Sequence, residues 1–173
     1  MTSFGGSGYK GRLEDARMLT GRGRYVSDWT FPGEASGHFL RSDRAHAEIV
    51  SLDATTARAM PGVIAVLTGV DVAAAGHKPM PAAAPMKGRG GADQIVPPRF
   101  ALAKDRVRYV GEPVALVVAQ TAAQAQDAAE AMAIEYRELP VLVKASDAVA
   151  PGAVQLYDSV PGKIGRASCR ERV

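Results

Sequence analysis

Val110-Gly-Glu-Pro-Val-Ala-Leu-Val-Val-Ala119, then Gln120-Thr121, then Ala122-Ala-Gln-Ala-Gln-Asp-Ala-Ala-Glu-Ala-Met132 running into Ala133-Ile-Glu-Tyr-Arg-Glu-Leu139, is the most regular stretch of this chain. Its first part is a glycine–proline turn followed by an uninterrupted apolar run, the pattern of a strand covered on both faces. Thr121 is a good helix N-cap, and the alanine-rich segment behind it has high helix propensity. Ala125, Ala128, Ala129 and Met132 fall on one face of that helix, with Gln124, Asp127 and Glu130 opposite. The last part alternates as a half-buried strand and stops at Pro140. Apolar strand, amphipathic helix and alternating strand predict a compact βαβ-type unit.

Upstream, Gly37–Ser42 and Ala45–Asp53 read as two strands. In the second, Ala47, Ile49 and Ser51 are expected on one side and Glu48, Val50 and Leu52 on the other. Asp53 or Thr55 can cap a short helix through Met60, which Pro61-Gly62 terminates. Val63–Thr68 is a compact buried-strand run, and Val70–Ala75 allows one or two helical turns before Gly76. Residues 77–98, rich in proline and glycine, read as a long surface loop. Order returns at Phe100–Leu102 and Val107–Tyr109, and Ala145–Ala150 reads as a short helical turn. Local hairpins combined with crossovers predict an α+β fold.

Composition bounds the function. Of 173 residues 47% are hydrophobic, so the chain can bury a core of its own. No run of 18 apolar residues predicts a membrane span, and the first residues lack the basic and apolar regions of a signal peptide, so a cytoplasmic protein is expected. The pI near 9.2 invites a nucleic-acid reading, but the excess positive charge sits at one end. Residues 163–173 carry Lys163, Arg166, Arg170 and Arg172 against Glu171, a net +3, which leaves residues 1–162 with 17 basic and 17 acidic side chains. A phosphate-binding surface needs clustered positive charge, so no nucleic-acid partner is expected. Ile164 to Val173 also matches, codon by codon, the translation of a common sequencing-library adapter. The tail 163–173 is therefore expected to be non-native, Cys169 with it, and the chain to be a fragment. Residues 1–162 contain no cysteine, which excludes disulfides and cysteine-ligated zinc or iron–sulfur clusters there.

Residue by residue, no active site emerges. Gly6-Ser-Gly8-Tyr-Lys-Gly11 matches a dinucleotide-binding pattern in letters but lacks the preceding strand and following helix that would aim backbone N–H groups at a pyrophosphate. His38, His46 and His77 have no metal-ligand spacing, and His46 reads as a hydrogen-bonded strand residue. Ser42-Asp43 has no partnered base. Glu112, between Gly111 and Pro113, either is held ionised by backbone donors at a turn or faces a pocket; the structural role is the expectation.

Arg12-Leu-Glu-Asp-Ala-Arg-Met-Leu-Thr-Gly-Arg-Gly-Arg-Tyr25 has no helix or strand period and reads as an ordered arm fixed by its glycines. Its series Arg12-x-Glu14-Asp15, Leu19-Thr20-Gly21-x-Gly23-x-Tyr25 and Asp28 continues in Phe39-Leu-Arg41-Ser42, Ala45-His46-Ala47, Leu52-Asp53, Pro61-Gly62-Val63 and Val66-Leu-Thr-Gly-Val-Asp71. It ends with Val107-x-Tyr109-Val-Gly-Glu-Pro-Val-Ala115, Ala128-x-Glu130, Glu135-Tyr136 and Leu139-Pro140. In this order, over nearly all of residues 8–158, the series resembles the molybdopterin-binding (large) subunits of the xanthine dehydrogenase and aerobic carbon monoxide dehydrogenase family. Asp43-Arg44 departs from the family, which usually has a Pro-His pair there.

The resemblance implies an α/β-hammerhead domain at residues 31–150, with mixed β-sheet and two main short helices. An N-terminal arm (1–30) precedes it, and a linker (151–162) leads toward missing molybdopterin-binding domains. It implies a molybdenum hydroxylase, an oxidoreductase that oxidises carbon monoxide, purines, aldehydes or N-heterocycles with oxygen from water. Its molybdopterin-type molybdenum cofactor would be seated outside this chain, and iron–sulfur and FAD subunits are the implied partners. The family's cofactor ligands and catalytic base lie further along such subunits, so catalytic, cofactor-binding and metal-ligating residues are expected to be none here, and the fragment inactive. The paired Gly21 and Gly23 lean toward the carbon monoxide dehydrogenase branch. The competing expectation is a free-standing α+β binding or scaffold domain using the 77–98 loop.

Overall fold

The structure, a computed structural model, describes residues 12–81, 91, 96–144 and 146–158. The tail 163–173, Cys169, the Gly6–Gly11 pattern and most of the middle of the 77–98 loop lie outside these. The chain divides after Glu34 into two units.

The first unit corrects the reading of the arm. Residues Asp15–Leu19 form a one-turn helix, α1, which buries none of its residues. Asp15 anchors its start by accepting the Arg12 N–H at 2.8 Å. Gly21, with φ of 69°, ends it, and the Arg22 N–H reaches back to the Arg17 carbonyl at 2.9 Å. That helix end needs a left-handed residue, which glycine supplies without strain. No apolar period announced α1 because no face of it is buried. A 3-10 turn at Val26–Asp28 follows, and Arg24, Trp29 and Phe31 stack in series, the rings 6.4 Å apart and the guanidinium 5.1 Å from the indole.

The second unit contains strands β1 (Ser36–Arg41), β2 (Ala47–Asp53), β3 (Val63–Thr68), β4 (Arg106–Val107), β5 (Pro113–Ala119) and β6 (Ala133–Glu138), with helices α2 (Thr55–Ala59), α3 (Gly69–Ala74) and α4 (Ala122–Glu130). They build two three-stranded antiparallel sheets, ordered β1-β5-β3 and β4-β2-β6. Successive strands thus alternate between the sheets. This overturns the βαβ reading of residues 110–139, because β5 and β6 lie in different sheets, and β1 and β2 are divided between the sheets in the same way. β5 is apolar on both faces and takes the central place between β1 and β3. The large apolar residues of β6 are Ile134 and Tyr136, which stand opposite Leu52 and Ile49 of β2.

β2 also departs from simple alternation. Ile49 pairs with Tyr136 but Ser51 with Glu135, so Val50 is the extra residue of a β-bulge. The bulge brings Leu52 round to the side of Ala47 and Ile49, where it packs against both core clusters. One cluster joins Val66, Ala115 and Val117 to Ala128 and Ala129 of α4 and to Met132 just after it, and the other gathers Ala47, Ala103, Val107 and Val114. The small alanines let α4 lie close on the sheet, and Thr121 caps it by accepting the Gln124 N–H at 3.2 Å. α3 starts with a reciprocal cap in which the Asp71 carboxylate accepts both the N–H (2.8 Å) and the hydroxyl (2.7 Å) of Thr68. Those bonds hold the Asp71 carboxyl below its ordinary range.

Candidate functional site

The two sheets present outer faces of opposite character. On the β4-β2-β6 sheet Glu48 stands opposite Arg106 and Arg137 and pairs with both, at 3.6 Å to Arg106, while Ser51 stands opposite Glu135. On the β1-β5-β3 sheet the corresponding row is Phe39, Leu116 and Leu67, with Val118 beside it and Ile64 at the bulge. Phe39 is 44% exposed, Leu67 40% and Ile64 59%. The Arg41 guanidinium lies 5.6 Å from the Phe39 ring centre, at the rim. Isolated exposed apolar residues are ordinary; a cross-strand row of them marks a contact surface. The sequence held the signal in the all-apolar run Val63–Leu67, which reads as a buried strand.

Glu112 lies at the other end of β5. Residues 109–112 form a turn closed by the Glu112 N–H on the Tyr109 carbonyl at 3.2 Å, with Gly111 at φ 87°. The glycine is required there, since other residues rarely adopt that angle. The Glu112 carboxylate accepts the Arg108 N–H at 2.5 Å. Half-burial raises its carboxyl above the ordinary value of 4.5, opposed by the Arg108 N–H and the nearby Arg108 and Arg99 charges. A raised carboxyl is costlier to ionise in the folded chain than in the unfolded one. Its contribution to stability is therefore greatest below about pH 4.5 and declines as pH rises through the folded value. Glu112→Gln, whose amide oxygen still accepts the Arg108 N–H, is expected to flatten that decline and hold stability at neutral pH. Glu112→Ala leaves the donor unpaired and is expected to lose about 1–3 kcal/mol. Urea melts from pH 4 to 8 check both.

The remaining candidates do not converge. His46 is buried and its Nδ1 lies 2.8 Å from the Pro140 carbonyl, tying the start of β2 to the chain beyond β6. The hydrogen bond expected from the sequence is present, but His46 lies in the bend just before β2 rather than in a strand. His38 is half-buried on β1, and His77 is exposed just past α3. The Ser42 hydroxyl is occupied by Arg44, accepting its N–H at 2.9 Å and donating to its carbonyl at 3.1 Å. A cleft of about 440 Å³ opens between β2, the start of α3 and residues 103–105. Its charges pair among themselves, Arg58 with Asp71 at 3.7 Å and Lys104 with Asp105 at 4.0 Å. Among the described residues no three His, Cys, Asp or Glu side chains gather as metal ligands, and no helix is long and apolar enough to cross a membrane.

Sequence reasoning missed Arg108. Its Nε donates to the Leu156 carbonyl at 3.0 Å, one terminal nitrogen donates to the Arg106 carbonyl at 3.1 Å, and its guanidinium lies 4.6 Å from the Tyr157 ring centre. Its partner is 48 residues away, and no local pattern announces such a contact.

Comparison with known proteins gives a consistent result. Residues 20–140 match the family model for the aldehyde oxidase and xanthine dehydrogenase a/b hammerhead domain. The large subunit of nicotine 6-hydroxylase from Paenarthrobacter nicotinovorans is 41% identical over 162 residues, covering 91% of this chain and 19% of that one. Quinoline 2-oxidoreductase from Pseudomonas putida 86 superposes with a TM-score of 0.76 at 40% identity, over 87% of this chain and 18% of that one. The Cu,Mo-CO dehydrogenase, in its carbon monoxide reduced state, gives 0.75 at 36% identity, over 94% of this chain and 19% of that one. The chain thus spans about a fifth of the length of the relatives it matches. With the two-sheet fold and the family model matching residues 20–140, the chain belongs to the aldehyde oxidase and xanthine dehydrogenase family, whose a/b hammerhead domain it forms.

Proposed function

We propose that this chain is the hammerhead module of a molybdenum hydroxylase large subunit, and that the module is structural rather than catalytic. The observation that carries this reading is the pairing of near-complete coverage of this chain with only about a fifth of each relative. The relatives' names speak of nicotine, quinoline and carbon monoxide, so the module's match leaves the substrate open. In this reading the molybdopterin-type cofactor is held by further domains, and no chemical step is assigned to this module's side chains. Iron–sulfur and FAD partners accept the electrons in this scheme. The apolar row Phe39–Leu116–Leu67 supports the same reading, because a face of that kind is suited to permanent cover by neighbouring domains.

Genomic DNA across codon 162 tests the proposal. The frame is expected to stay open for several hundred codons, whereas a natural stop close by would overturn the reading. The purified chain is expected to carry no molybdenum and to self-associate through its uncovered face. Stoichiometric metal, or clean monomeric elution with a cooperative melt, would count against it.

A further inference from the structure

We propose that residues Leu156–Asp158 are a strap latched onto the β4–β5 turn by Arg108, with Glu112 as the residue that positions the latch. The sequence reads residues 151–162 as a linker, yet the described part of that segment is held at its far end. Among the described residues, 141–144, 146–148 and 150–155 contribute no side chain to either core cluster. Residues 156–158 are held instead by contacts with the β4–β5 turn. Arg108 meets them with two different interactions, a charge-assisted hydrogen bond to the Leu156 carbonyl and a guanidinium stacked on the Tyr157 ring. The strap is folded on itself as well, since the Gln155 amide donates to the Tyr157 carbonyl at 3.0 Å. Arg106 adds a looser pairing with Asp158 at 3.9 Å.

The latch is set from below. Arg108 donates its own N–H to Glu112 and a side-chain N–H to the Arg106 carbonyl, so both its backbone and its guanidinium are oriented before the strap arrives. Gly111 makes the turn that brings the Glu112 carboxylate back under Arg108. The Gly-Glu-Pro stretch that reads as a family marker thereby acquires a mechanical role, and the polypeptide leaves the domain at one fixed point. Tyr157 responds to this setting: partial burial raises its phenol above the ordinary range, against the opposing Arg108 charge.

Chymotrypsin cleavage of the chain, read by mass spectrometry, tests the strap. Cutting after Tyr157 is expected to be at least about tenfold slower than in a free peptide of residues 150–162, because protected backbone must open before it is cut. Arg108→Ala is expected to restore most of the peptide's rate there while the bond after Tyr136, in β6, stays protected. Glu112→Ala should speed the same cut and Glu112→Gln should not. If Arg108→Ala also exposes Tyr136, the domain has unfolded, and Tyr157→Leu then carries the test: it removes the ring, and cleavage after residue 157 is expected to approach the rate in a peptide of residues 150–162 carrying the same Leu. Cleavage of the wild-type chain at the peptide's rate would overturn the strap. Unchanged protection in a folded Arg108→Ala variant, or in Tyr157→Leu, would overturn the latch.

Discussion

Gly69→Ala, which adds one methyl group, is expected to remove roughly 3 kcal/mol of stability, at the upper end of what core overpacking costs. The reason is the identity of the neighbours. A Cβ on Gly69 would stand 2.6 Å from the carbonyl carbon of Ala103 and 2.7 Å from the Cα of Lys104. Both are backbone atoms and cannot rotate away. Residues 102–104 are themselves fixed, since Leu102 and Ala103 are buried and the Ala103 N–H donates to the Pro113 carbonyl at 2.8 Å. The start of α3 would have to lift off, taking the Thr68–Asp71 cap with it. In a urea melt this is a midpoint shift of about 1.5 M. Gly37→Ala is the control. Its Cβ would meet the Leu116 side chain at 3.4 Å, an ordinary contact, so the same change there should stay within about 0.5 kcal/mol. Equal effects at the two glycines would refute the close-approach argument.

Val117→Ala has the second large effect, about 2–3 kcal/mol. The estimate combines roughly 0.8 kcal/mol per lost carbon with a cavity the core cannot close. Val117 is fully buried in the central strand of its sheet, between His38 and Val66 and in the cluster that includes α4. The neighbour Val118 points to the outer face, and Val118→Ala should cost less than about 1 kcal/mol. Comparing the two urea midpoints separates the faces of β5. Equal losses would mean that the outer face is as covered as the inner one.

The elements were legible in the sequence where one segment contains its own reasons. Thr121 and the spaced alanines mark α4, Pro61-Gly62 marks the end of α2, and the Gly111 turn announces β5. The partition into sheets was not legible, because an apolar period says which face of a strand is buried and not which strand lies beside it. The bulge at Val50 hides in the same way, since one extra residue leaves the letters looking alternate while Leu52 changes sides. α1 escaped because an unburied single turn has no apolar stripe, although the glycines of the arm, Gly21 among them, do mark its ordered bends. Among the candidate residues, Glu112 and His46 could be read from neighbours in sequence. Arg108 could not, since its worth depends on Leu156 and Tyr157.

The alternation of strands between two sheets has a consequence for how the domain comes into being. Neither sheet can close early. The first waits for β5, the second for β6, and the pairs β1–β5 and β2–β6 join residues about eighty positions apart. Contacts this distant close large loops before any ladder rewards them, so slow folding is expected. Until Ala119 has been synthesised, the apolar run of β3 remains unpaired and open to wrong partners. The nascent chain needs shelter during that interval, and a cut anywhere before β6 leaves the sheet built on β2 without one of its edge strands.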